Sequence, residues 1–230
     1  MPTRRIFVAS AVAAAGAAVA AAQVPSHWRT IARQRLADPH PRPPAARAAF
    51  APAEGWAAKL VAAGLGQIGQ TTSYDGSYAA IGYPGGDVPL QTGVCTDVII
   101  RAYRGAFGFD LQKAVHEDMR LSFASYPRLW GLKRPDRNID HRRVPNLKTF
   151  MRRKGAEHAV TDVPAHYRAG DLVTMLLPGN LPHIAIVTGH ASADGKRPLI
   201  VHNIGAGARL DDLLFAFRLD GHYRFNPAQA

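Results

Sequence analysis

A single cysteine, Cys95, in 230 residues leaves no internal disulfide to staple the fold. Acidic residues are scarce too: 17 Asp and Glu stand against 28 Lys and Arg, so the formal charge is +11 at pH 7. No internal repeat is present, which excludes a solenoid or a propeller. Aromatic residues do not alternate with basic ones in the way that stacked bases require, which argues against a nucleic-acid partner. The one extended apolar run, Ile6–Ala22, is alanine-rich and lacks a second basic flank, so no stable membrane span is expected.

That run belongs to the opening "MPTRRIFVASAVAAAGAAVAAAQ", where Arg4 and Arg5 precede an Ala/Val stretch ending in small residues. This is the layout of a secretory signal peptide over residues 1–22, loosely of the twin-arginine type, against the alternative of an Ala-rich disordered tail. The expected location is periplasmic or otherwise extracytoplasmic. Residues 23–52 are rich in Pro, Ala and Arg and read as a flexible lead-in. Residues 53–227 make one domain, long enough for a substantial core, and a monomer is expected. Without Arg4 and Arg5 the charge is still +9. In the envelope such a surface suits peptidoglycan or another anionic polymer; a basic surface serving only solubility is the alternative. Export sharpens the question of the thiol. In an oxidising compartment a lone cysteine is an inert buried side chain, one half of an intermolecular bridge, or a nucleophile.

Apolar residues at helical spacing (Trp56, Leu60, Val61, Leu65, Ile68) predict a helix from Glu54 to about Gln70, weakened by glycines at 64, 66 and 69. Loop follows, with a turn signal at Pro84-Gly85-Gly86. In "TGVCTDVIIRAYR" Cys95 opens a helix of about 12 residues that Gly108 stops, and Asp110 caps a second one to about Leu121. A charged, Pro-punctuated loop from Ser125 to Asn146 leads to a short helix ended by Gly155. The rest reads as strands: 171–177, 183–189, 198–204 and 217–225. Helices first and an antiparallel sheet afterwards predict an α+β domain.

A helix N-terminus offers a thiolate positive potential and free N–H groups, and Cys95 sits at one. Thiol chemistry also needs an imidazole to take the proton and a third group to orient it. His183 and His202 lie on successive strands, which can set them side by side on one face. Strand alternation turns Asn203, the other candidate orienter, to the opposite face. A helix-borne Cys with two strand-borne polar groups has the spatial logic of papain-like cysteine enzymes.

The stretches "GYPGGDVPLQTGVCTDVIIRAYR", "DLQKAVHEDM", "YPRLWGLKRPDRNIDHRRVPNL", "LPHIAIV", "IVHNIGAG" and "DGHYRF" resemble an uncharacterised bacterial family known only as a domain of unknown function. That family in turn is similar to the NlpC-type cell-wall peptidases. The resemblance implies a papain-like fold and no cofactor. It implies that Cys95 is the nucleophile, His183 the base, His202 the orienter, and Tyr83 a hydroxyl reaching the nucleophile or its oxyanion beside the Cys95 N–H. The chain departs from the pattern at Val94-Cys95-Thr96, where Asp-Cys-Ser is usual, and in the long loop 125–146.

Asp97, Asp140, His141, Arg142, Arg143 and Asn203 are the candidate substrate-binding residues. Arg142 and Arg143 suit carboxylates of an anionic ligand, whereas Asp97, one turn into its helix, also suits a cap or an i,i+4 pair with Arg101. The expected activity is cleavage of amide bonds in peptidoglycan stem peptides by an endopeptidase or amidase. A non-catalytic envelope-binding domain on the same fold and a thiol-dependent acyl transferase are the alternatives. No metal is expected; "VHEDM" and "NIDHRR" carry metal-capable side chains without a strong ligand spacing, which leaves a zinc hydrolase as a minor alternative.

Overall fold

The computed structural model describes residues 49–229; the signal-peptide segment and most of the lead-in lie outside the described residues. Among the described residues four α-helices come first: α1 (Gly55–Leu65), α2 (Cys95–Phe107), α3 (Leu111–Ser122) and α4 (Val144–Arg153). Six strands follow: β1 (Glu157–His158), β2 (Leu172–Leu177), β3 (Leu181–Ala191), β4 (Pro198–Asn203), β5 (Ala208–Asp211) and β6 (Arg218–Tyr223). They form one sheet in the order β1-β6-β2-β3-β4-β5, with every neighbour antiparallel. The domain is α+β, as its pattern of elements predicts.

Two strands are absent from the sequence reading. β1 is two exposed polar residues, and β5 is "ARLD", with neither β-branched nor aromatic side chains. Both pair because a neighbouring strand presents a free edge, which propensity does not record. The turn before β5 requires Gly207: its φ is +89°, and a Cβ there would lie 2.4 Å from the Thr71 carbonyl oxygen. α1 ends five residues short of the expected Gln70, and turns carry the chain onward. α2 keeps its predicted ends, and Gly108 closes it in the left-handed conformation at φ +63°.

α2 is the middle of the molecule. Every residue from Cys95 to Tyr103 is buried, polar ones included, so this part of the helix is enclosed on all sides and only its last turn, from Arg104, reaches water. Val98, Ile99 and Tyr103 meet Leu60 of α1, Leu147 and Phe150 of α4, and Ile186 and Val201 of the sheet in a single core. Each such side chain contributes about 1.5–3 kcal/mol on burial. The Tyr103 hydroxyl, buried with its ring, donates to the Phe225 carbonyl at 2.8 Å. Arg101 is the helix's outward bolt. It ion-pairs with Asp87 at 2.9 Å and donates to Thr71 Oγ1 and the Thr92 carbonyl, tying the 71–92 segment to the helix that carries the cysteine.

Asp171, just before β2, is fully buried and accepts from His222 at 2.7 Å and from Arg224 through both of its oxygens. Burial opposes its ionisation, but these donors and the Arg168 N–H outweigh burial and hold its pKa below the usual carboxylate value. It therefore serves the end of the sheet rather than the cleft.

Candidate active site

Strand register builds the site. β3 pairs with β4 through Ile186↔Val201, and β4 with β5 through His202↔Arg209. In that register His183 is diagonal to His202 on one face, and Asp211, two residues past Arg209, is diagonal to His202 on the other side. The side chains meet accordingly. His183 Nε2 lies 2.8 Å from His202 Nδ1, and His202 Nε2 lies 3.1 Å from Asp211 Oδ2. All three are buried.

The hydrogens follow from the acceptors. A carboxylate only accepts, so His202 carries its proton on Nε2 and leaves Nδ1 bare. His183 must then donate from Nε2, which leaves its own Nδ1 as the nitrogen without a proton. A three-residue relay thus sets the tautomer of the first imidazole.

Cys95 is the first residue of α2 and only 4% exposed, at the wall of a cleft of about 560 Å³. The backbone N–H of Ile184, the residue after His183, reaches its sulfur. Burial pushes the thiol up to about 11, and Asp97 adds to the rise, while the N–H groups of Ile184, Thr96 and Cys95 itself pull it down. The helix terminus alone predicted a lowered value; enclosure of the helix start outweighs it. A thiol in that state needs a base. His183→Gln is expected to slow iodoacetamide labelling of Cys95 at pH 7 by about a hundredfold. Labelling in the variant should then climb with pH toward about 11; equal rates in the two proteins would separate the imidazole from the thiol.

The remaining candidates fall in different places. Tyr83 does not line the cleft: its ring packs edge-on against His116 of α3 at 5.1 Å, with Arg137 over its face. Tyr74 lines the cleft instead. Its hydroxyl is pushed up to about 12, by burial first and then by the charges of Cys95 and Asp97, so it stays a donor. Nothing in "SYDGSYAAIGYPGG" separates Tyr74 from Tyr78 and Tyr83, because the loop's path decides which ring turns inward.

Asp97 is spent inside the fold. It accepts from the Val94 N–H at 2.7 Å, half of a capping box, and receives Arg142 through both oxygens at 2.9 Å. Its expected i,i+4 partner Arg101 goes to Asp87. Asn203 donates to the Ser73 and Gly93 carbonyls and accepts from the Gly207 N–H, so its amide holds the turn. Asp140 and His141 are buried under the cleft wall and do not line it. Burial first, and then the Arg142 charge against that of Asp97, brings His141 down to about 4, so it stays neutral. Of the six substrate-binding candidates only Arg142 and Arg143 line the cleft, and the Arg142 guanidinium is committed to Asp97.

Loop 125–146 is a wall of that cleft. Leu129 and Trp130 stand in it, 67% and 39% exposed, and Arg143 stacks on the Trp130 ring at 4.0 Å while pairing with Asp140 at 3.2 Å. Asp211 is the functional candidate that the sequence reading lacks. Its signal was parity with Arg209 on a strand too short to be recognised. Among the described residues no group of three or more His, Cys, Asp or Glu side chains is arranged to hold a metal ion. No helix among them is long and apolar enough to cross a membrane.

Residues 61–225, which include every member of the relay and the cysteine, match the family described as "Domain of unknown function (DUF1287)". The chain is also 53% identical over 159 residues to "Uncharacterized protein YijF" of Escherichia coli (strain K12), an alignment spanning 69% of this chain and 77% of that protein. The chain therefore belongs to the DUF1287 family.

Proposed function

We propose that the protein is an exported cysteine hydrolase of papain-like, NlpC-type architecture that cleaves amide bonds in peptidoglycan stem peptides. The observation that carries this reading is the relay itself. A lone cysteine at a helix start lies against the strand that bears His183, and on that strand and the next two His183, His202 and Asp211 are hydrogen-bonded in series.

In this reading His183 Nδ1 takes the Cys95 proton as the sulfur attacks the amide carbonyl. His202 accepts from His183 Nε2 and holds the ring in place, and Asp211 keeps His202 in the accepting tautomer. The Cys95 backbone N–H and the Tyr74 hydroxyl stabilise the oxyanion, Tyr74 taking the part expected of Tyr83. Collapse of the tetrahedral intermediate passes the proton from His183 to the leaving amine. Water, deprotonated by the same imidazole, then clears the thioester. The apolar wall of Leu129 and Trp130 and the cation of Arg143 suit a peptide that carries carboxylates.

One observation favours a second reading. Burial raises the Cys95 pKa rather than lowering it, which suits a non-catalytic envelope-binding domain. Digestion of purified sacculi separates the two. Wild type is expected to release muropeptides, identified by mass spectrometry, that Cys95→Ala does not; identical profiles would end the hydrolase reading.

A further inference from the structure

Loop 125–146 also lines a second cavity, of about 650 Å³, whose lining includes Arg120, Arg134, Arg137, His116, Tyr78 and Asp136. Most arginines among the described residues, from Arg101 to Arg224, hold a carboxylate in an ion pair. These three have no such partner there, although they surround a single hollow. Of the acids nearby, Asp136 lines the same hollow and offsets one of the three charges. Asp136 accepts from the Tyr78 hydroxyl with one oxygen and from the Asn138 N–H with the other, and Glu117 pairs with Lys113. His116 brings a further unmet group, since its Nδ1 is buried without a hydrogen-bond partner.

All three are exposed, so water and salt screen their repulsion, yet together they give one concave surface a positive potential that an anion would complete. Guanidinium forks match planar or tetrahedral oxyanions and bind them bidentately. We propose that this cavity is an oxyanion-binding site that takes carboxylate or phosphate groups of a polyanionic ligand. The site draws on α3 and on residues 134–138, shares none of its lining with the thiol cleft, and does not depend on the chemistry of Cys95.

The test uses the full chain with two probes, citrate for carboxylates and inorganic triphosphate for phosphates. Binding is followed by calorimetry and by the NMR signals of the His116 ring. Burial, Arg120 and Arg137 all hold the His116 pKa down, in that order, so a bound anion is expected to raise it. The pair Arg134→Gln and Arg137→Gln should weaken binding at least about tenfold, the loss expected for charged hydrogen bonds. The pair Arg168→Gln and Arg218→Gln, which removes two arginines elsewhere, should change it less than about twofold. Tighter binding of citrate marks a carboxylate ligand, and of triphosphate a phosphate one. The proposal is overturned if neither probe moves His116, or if both arginine pairs weaken binding equally. Melting curves establish that the variants are folded, and Arg120→Gln supplies the same comparison if the first pair is not.

Discussion

Asp211→Asn is expected to slow the reaction of Cys95 by on the order of a hundredfold or more, with the fold intact. Asp211 does not line the cleft; it acts through His202 as a positioning residue. An amide in its place offers N–H as readily as C=O, so His202 no longer has to carry its proton on Nε2. The other tautomer donates from Nδ1 toward His183, which must then accept on Nε2 and lose its basic Nδ1. The rate of Cys95 labelling reads the effect without any assumption about substrate, and ¹⁵N shifts of the two rings read its cause. A merely structural Asp211 would lower the melting temperature without changing the ring tautomers. Unchanged tautomers and an unchanged labelling rate would end the relay at His202.

The second large effect concerns stability. The Asp97–Arg142 pair is bidentate at 2.9 Å, with side chains only 3% and 4% exposed. Removing one partner strands a buried charge, so Asp97→Ala and Arg142→Ala should each cost about 3–5 kcal/mol in urea unfolding. The double variant should cost clearly less than the two together, because it leaves no orphaned charge. Single losses below about 1 kcal/mol would give the pair the weight of an exposed ion pair. The pair also sets the geometry of the site. Together with the Thr96 hydroxyl, which donates to the Arg142 carbonyl at 2.9 Å, it pins residues 140–142 to the first turn of α2. The wall of the cleft is therefore fastened beside the cysteine that it faces. That explains why the acid stands at 97 and an apolar residue stands at 94: the carboxylate reaches back to cap the helix while it holds the wall.

Local chemistry determined much of this protein. Glycine and Asp110 delimit α2 and α3 because cap geometry depends on a few adjacent residues, and strand alternation separated His202 from Asn203 because the period of two belongs to the chain itself. The thiol at a helix start and two strand-borne histidines were legible for the same reason. Contacts between distant segments were not. The pairing of "ARLD" with β4 brought Asp211 to His202, and the path of the 71–92 loop chose Tyr74 over Tyr83 for the cleft. The turn at 140–142 aimed Arg142 inward at Asp97, 45 residues away. The state of Cys95 is the sharpest case. The sequence set it at the positive end of a helix, where a thiol's pKa falls, but its solvation depends on what encloses that helix. With the first turns of α2 buried on every side, desolvation exceeds the pull of the N–H groups and the thiol keeps its proton. Local pattern decides which groups are present and which way they point; packing alone decides how much water they see.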